Sequence, residues 1–262
     1  MSGQVEVDRR NEAFWSELCG SGLARSLGIT GDEPDALERF DAHYFAFYPY
    51  LKAYVDRFDL VARNVLEIGL GYGTLGQYIA ERGAVYHGLD IARTPVAMIR
   101  HRLGLLGDPP GDRVLQGSAL EIPWESETFD YVYSIGCLHH TGDLERSVAE
   151  VHRVLTPGGV AVTMLYNRHS ARRLLRARRR RTAEEVRAEY DASAAGEAAP
   201  HTDFTSRAEV RRLFHAFADV DVDGRNFDEI HVRGRTLVPR SLLIRTPLPR
   251  LLGLDLYVTA RK

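Results

Sequence analysis

Residues 64–83 read NVLEIGLGYGTLGQYIAERG. Val65, Leu66 and Ile68 make the short apolar run of a buried strand; Gly69, Gly71 and Gly73 then turn the chain tightly into a helical pattern over Thr74–Arg82. Glycine suits such a turn because a ligand can lie against the bare backbone and φ can become positive. Further β-type runs follow at Val85–Leu89, Arg113–Gln116, Tyr131–Ile135 and Val160–Leu165, with helical patterns at Pro95–Leu105 and Asp143–Leu155. That alternation predicts right-handed βαβ units in a parallel sheet, with ligands outside the carboxyl ends of the strands.

Upstream, residues 8–60 carry apolar positions at helical spacing: Phe14, Leu18, Leu37, Phe40, Tyr44, Phe47 and Leu51. Asp35 reads as an N-cap with Glu38 three residues on, and Pro49 ends that helix. Downstream, the rhythm breaks over 168–200, where an arginine run precedes AEEVRAEYDASAAGEAA. This predicts an inserted helical or mobile segment, with Leu174 and Leu175 as its apolar anchor. A helix at Ser206–Phe217 opens on a Ser206/Glu209 capping box, and strands follow at Val220–Val222 and Leu254–Ala260. The expected organisation is one domain over 1–262: a helical cap (1–60), a core (61–167), an insertion (168–205) and a C-terminal helix with the last strands (206–262).

Composition narrows the class. The 262 residues are 44% hydrophobic and 27% charged, as in an ordinary folded protein. The net charge of −2 gives no overall steering toward nucleic acid or an anionic membrane. Of 34 basic residues only Lys52 and Lys262 are lysine, so arginine clusters carry less weight than usual. Cys19 and Cys137 stand far apart with no ligand spacing around them, which argues against a disulfide scaffold or zinc site. No apolar run approaches the roughly 18–20 residues of a membrane span, and MSGQVEVDRRNEAFW lacks a signal-peptide core. A cytoplasmic protein with no metal, nucleic-acid or membrane partner is expected, monomeric or homodimeric.

Asp90 ends the second strand, 21 residues after Gly69, where a carboxylate can accept from both ribose hydroxyls of an adenosine cofactor. Two cofactors fit this much. Gly71, Gly73 and Gly76 match G-x-G-x-x-G, which favours NAD, whose pyrophosphate uses the helix N-terminus. S-adenosylmethionine instead has a zwitterionic tail that needs a nearby carboxylate, and Glu67 is placed for its ammonium.

The stretch FDYVYSIGCLHHTGDLERSVAEVHRVLTPGG, residues 129–159, separates them. It resembles the fourth strand, helix and turn of class I S-adenosylmethionine-dependent methyltransferases, in their ubiquinone/menaquinone-type, small-molecule, bacterial branch. With EIGLGYG, HGLD and ALEIPWESETFD in order, the resemblance covers about residues 60–165. It implies a Rossmann-like α/β fold, a mostly parallel seven-stranded sheet with helices on both faces. It further implies that Gly69, Gly71 and Gly73 hold the methionine moiety, Asp90 the ribose, and Ile91 one face of adenine. Ser134 and Gly136 would lie beside the methionine tail. Where the family usually has Asp-Ala after the third strand, this chain has Ser118 and Ala119, so the acid on the adenine amino group is replaced by a hydroxyl.

Methyl transfer is an in-line displacement on an activated sulfonium, so alignment supplies most of the acceleration and a base removes a proton where the acceptor requires it. His139 and His140 follow the fourth strand and are the candidate bases. Tyr44, Tyr48 and Tyr166 are the candidate acceptor contacts. The expected activity is O-methylation of a small molecule in bacterial secondary metabolism. C- or N-methylation, a nicotinamide-dependent oxidoreductase, a binding protein without turnover and a nucleic-acid methyltransferase are the rival readings.

Overall fold

The apolar runs assemble into adjacent strands because their residues alternate between two hydrophobic layers. In the computed structural model, which describes residues 2–18, 21–176, 181–232 and 235–262, these are β1 (Asn64–Ile68), β2 (Val85–Asp90), β3 (Val114–Gln116), β4 (Phe129–Ile135) and β5 (Leu155–Asn167). On β1, Leu66 and Ile68 pack with Val132, Val148, Val151 and Phe214 on one face. Val65 packs with Ile79, Tyr86, Ile99, Tyr133 and Tyr257 on the other.

Four helices precede the sheet: α1 (Ser2–Leu18), α2 (Ser21–Ser26), α3 (Pro34–Phe47) and α4 (Leu51–Asp56). The crossover helices are α5 (Thr74–Ala80), α6 (Arg93–Leu105) and α7 (Leu144–Val154). After β5 come α8 (Ala171–Arg176), α9 (Ala183–Ala188), β6 (Phe204–Thr205), α10 (Arg207–Leu213), β7 (Asp219–Arg225) and the hairpin β8 (Ile230–Val232) and β9 (Arg235–Val238). The chain finishes with α11 (Arg240–Leu243), α12 (Leu248–Leu252) and β10 (Asp255–Arg261). The sheet runs β3-β2-β1-β4-β5-β10-β7, parallel throughout except that β10 is antiparallel to both neighbours. This is the Rossmann-like, mostly parallel sheet with helices on both faces that the resemblance implied.

Several local expectations need correction. The path has the seven strands expected, but β6 adds an eighth by pairing with Tyr166 and Asn167 of β5. The cap of α3 is Glu33 and not Asp35, because Pro34 takes the first helical position, where the N–H it lacks would be unpaired anyway and its fixed φ suits the helix. Leu174 and Leu175 do not anchor the insertion, since they are 50% and 80% exposed. Polar contacts hold α8 instead: Arg172 pairs with Asp228 at 2.5 Å, and the Arg173 guanidinium lies 4.1 Å over the Phe204 ring. The Ser206/Glu209 capping box forms as expected, both hydrogen bonds being present. Cys19 and residues 177–180 of the arginine run lie outside the described residues. Among the described residues no helix is long and apolar enough to cross a membrane, and no His/Cys/Asp/Glu cluster could hold a metal.

Candidate active site

A cavity of about 540 Å³ opens at the carboxyl ends of β1, β2, β4 and β5. Its floor is the glycine turn. Gly69 has φ +84°, and a Cβ there would sit 2.4 Å from the Cys137 Cβ, so only glycine lets the β1 and β4 loops close on each other. Gly71, at φ +50°, has open space where a Cβ would be and lines the cavity. Gly73 does not line it; at φ +76° it caps α5 against Arg102. Arg102 is itself fully buried and binds Asp41 through two 2.9 Å hydrogen bonds, while Thr74 donates to the same carboxylate at 2.6 Å. The cap helix α3 is thereby fastened to the turn.

Asp90 is fixed at the end of β2. One carboxylate oxygen accepts the Leu70 N–H and the other the Ala92 N–H, each at 2.8 Å. Burial pushes its acid up to about 6, against the pull of those two backbone donors. Glu67 faces the same space and takes a 2.5 Å hydrogen bond from the Tyr86 hydroxyl. Burial raises it to about 8, opposed by Tyr86 and reinforced by the Asp90 charge. Among the described residues no cation accompanies either carboxylate. Gly76 presses on this pair: a Cβ there would fall 2.4 Å from the Tyr86 hydroxyl oxygen and 2.6 Å from Glu67 Oε2.

Ile91, Ser118 and Ala119 line the cavity beyond Asp90, and the Ser118 hydroxyl accepts the Leu120 N–H at 3.3 Å. Gly136 lines it at φ +82°. Ser134 does not: fully buried, it donates to the Ile68 carbonyl at 3.0 Å and ties β4 to β1. The sequence pattern placed it at the ligand edge, but strand alternation turns its side chain into the sheet layer.

The two histidines diverge in the same way. His139 is fully buried, lies outside the cavity lining and packs with its ring 4.2 Å from the Tyr166 ring, tilted by 42°. Burial depresses its basicity strongly. His140 lines the cavity. Its Nδ1 lies 2.7 Å from the His201 carbonyl, an acceptor, so Nδ1 carries the proton and Nε2 keeps its lone pair. Burial also lowers His140, which keeps the ring neutral at ordinary pH. Asp191 Oδ2 stands 3.6 Å from Nε2 and accepts the Tyr166 hydroxyl at 3.0 Å. Burial raises the Asp191 acid.

Tyr44, Tyr48 and Tyr166 all line the cavity, with Tyr44 and Tyr48 rings 5.2 Å apart at the end of α3. Sequence reasoning missed Asp191, Tyr190, Asn11 and Trp15, which line the cavity as well. Asn11 donates to the His140 carbonyl at 2.7 Å, and the Trp15 ring packs 4.8 Å from the His140 ring. Each belongs to a helix or loop remote in the chain, and no spacing rule links such residues to the β4 loop.

A family description, "Methyltransferase domain", matches residues 66–163. A phthiotriol/phenolphthiotriol dimycocerosates methyltransferase of Mycobacterium ulcerans is 35% identical over 103 residues, covering 38% of this chain and 36% of that protein. A fatty-acid O-methyltransferase of Mycolicibacterium smegmatis is 30% identical over 135 residues, 51% of this chain and 46% of that one. The matched stretches thus span less than half the length of these curated relatives. Among solved structures, an S-adenosylmethionine-dependent methyltransferase of Thermotoga maritima, a possible histamine N-methyltransferase, superposes with a TM-score of 0.56 at 20% identity, over 86% of this chain and 98% of that one. Another from Archaeoglobus fulgidus gives 0.54 at 16% identity, over 84% and 98%. The fold is that of class I S-adenosylmethionine-dependent methyltransferases. The similarity to a methyltransferase domain covers residues 66–163.

Proposed function

We propose that the protein transfers the methyl group of S-adenosylmethionine to an oxygen of a small molecule, with His140 as the general base and Asp191 as its partner. The observation that carries this is the presence of both halves in one cavity: the glycine turn with Asp90 and Glu67, and His140 with Asp191 and Tyr166.

The cofactor fits the charge of the site. Two buried carboxyl groups with raised pKa values and no accompanying cation among the described residues favour a ligand with positive groups. A pyrophosphate would add negative charge beside them, which disfavours the nicotinamide reading. Asp90 would hold the ribose, Ile91, Ser118 and Ala119 the adenine, and Glu67 with Gly69, Gly71 and Gly136 the amino-acid tail. When bound, the cofactor supplies an activated methyl group on a sulfonium.

The chain's own residues do the rest. Tyr44, Tyr48 and Phe47 close one side of the cavity and restrict water, while Tyr166 and Tyr190 border the acceptor side. For a hydroxyl acceptor, His140 Nε2 takes the proton as the oxygen attacks; a carboxylate acceptor arrives already ionised. The Asp191 carboxylate 3.6 Å away then offsets the positive charge on the ring. Asn11 and Trp15 hold the His140 loop against α1. The location of this chemistry is the cytoplasm.

The reading is tested by incubating the protein with S-adenosylmethionine and a panel of hydroxylated and carboxylated small molecules, followed by mass spectrometry. A methyl ether or ester is expected. S-adenosylhomocysteine binding with no transfer across the panel would point to a binding protein, and redox turnover of a nicotinamide would discard the assignment.

A further inference from the structure

The segment between β7 and β10 has an unusual surface. Residues 235–252 read RTLVPRSLLIRTPLPRLL, with arginines at 235, 240, 245 and 250 and no aspartate, glutamate or lysine. Leu237, Leu242, Leu248 and Leu251 are 66%, 56%, 40% and 71% exposed, and Arg235, Arg245 and Arg250 are exposed among them. Leu243 and Pro249 are buried beneath, so the segment is seated with its leucines outward. The other exposed aliphatic side chains among the described residues, Val5, Val61, Val85, Ile230 and the pairs Leu105/Leu106 and Leu174/Leu175, are spread over other elements.

Topology puts this surface beside the cavity. Both β5 and β7 are antiparallel to β10, so they run the same way and end at the same edge. The Arg240 guanidinium lies 3.8 Å over the Phe47 ring and 5.8 Å from that of Tyr48, and both rings line the cavity. Phe47 is itself 42% exposed, an apolar rim continuous with the arginine–leucine segment.

We infer that residues 235–252 form an interfacial segment that seats the cavity mouth on an anionic lipid surface. Leucines enter the acyl boundary while arginines meet the phosphates, the pairing that binds peripheral proteins to charged bilayers. The overall charge of −2 conceals it because acids elsewhere balance these arginines. Resting on the methyl-transfer reading, the inference extends to the substrate: the acceptor is an amphiphile that reaches His140 from the bilayer, its polar end first.

The test is co-sedimentation of the full chain with vesicles of phosphatidylcholine alone or mixed with phosphatidylglycerol. Binding to the mixed vesicles, weakened by salt, is expected. A Leu242→Glu/Leu251→Glu variant should partition roughly tenfold less or weaker still. Its S-adenosylhomocysteine thermal shift should match the parent, which shows that the fold is intact. Failure of the parent to bind mixed vesicles, or equal binding by the variant, overturns the inference. So does a parent dimer that the variant converts to monomer by light scattering, which would make the face a contact between copies. Vesicle binding without any S-adenosylhomocysteine binding would support the surface and overturn the methyl-transfer reading alone.

Discussion

The two sides of the cavity are built by opposite means. The cofactor side comes mostly from one continuous stretch, 64–119, joined only by Gly136 of the β4 loop; in it strand, glycine turn and acid follow at fixed spacing and are fixed by backbone hydrogen bonds such as those on Asp90. The acceptor side is gathered from α1, α3, the β4 loop, β5 and the insertion, and is held by side-chain contacts between them. Asn11 reaches the His140 carbonyl, the Tyr166 hydroxyl donates to the Asp191 carboxylate at 3.0 Å, and the Ala194 N–H donates to the Glu17 carboxylate at 3.0 Å. A backbone-built side suits a constant ligand. A side-chain-built one is readily altered without disturbing the sheet, which is where acceptor choice resides.

If the division is real, mutations should separate cleanly. His140→Gln should lower the methyl-transfer rate about 10²–10⁴-fold while leaving the S-adenosylhomocysteine Kd nearly unchanged in calorimetry. Asp191→Asn should move the rate in the same direction, and its effect should shrink in the His140→Gln background. Because burial lowers His140, the acid limb of the rate–pH profile should lie below the ordinary histidine pKa of about 6.5. Asp90→Ala should do the converse, weakening S-adenosylhomocysteine binding by about 10²-fold through loss of charged hydrogen bonds. Gly69→Ala should cost about 2–4 kcal/mol in chemical denaturation, from positive φ and the 2.4 Å approach to Cys137. Ser206 does not line the cavity, so Ser206→Ala should cost only about 1 kcal/mol through the lost cap, with rate and Kd intact. A His140 variant that also lost cofactor affinity would merge the two sides into one unit.

Legibility followed the same line. The order of strands and the turn at 69–73 could be read because spacing along one stretch dictates their geometry. Along the strands and the turns that follow them, the side-chain directions could not. Ser134 turned into the sheet and His139 behind the cavity, because one residue of strand or turn phase reverses a side chain. Gly73 likewise serves the α5 cap rather than the lining. Asp191 was illegible for a different reason. It sits in an acidic, alanine-rich stretch without periodicity, and only tertiary folding brings it to His140. The exposed leucines of 235–252 look like core in sequence, and only their surface position distinguishes them.

The charge state of Glu67 tests the central claim most directly. Its acid lies near 8 in the free protein, so near pH 6.5 the folded site holds a proton there. A ligand ammonium favours the ionised form, and binding should therefore release that proton. Titration calorimetry with S-adenosylhomocysteine at pH 6.5, in two buffers of different ionisation heat, measures this. Binding with net proton release, and with affinity rising by up to about tenfold per pH unit between 6 and 8, is predicted for the parent and lost in Glu67→Gln. Absence of S-adenosylhomocysteine binding, or binding with the same proton count in parent and variant, would contradict the account.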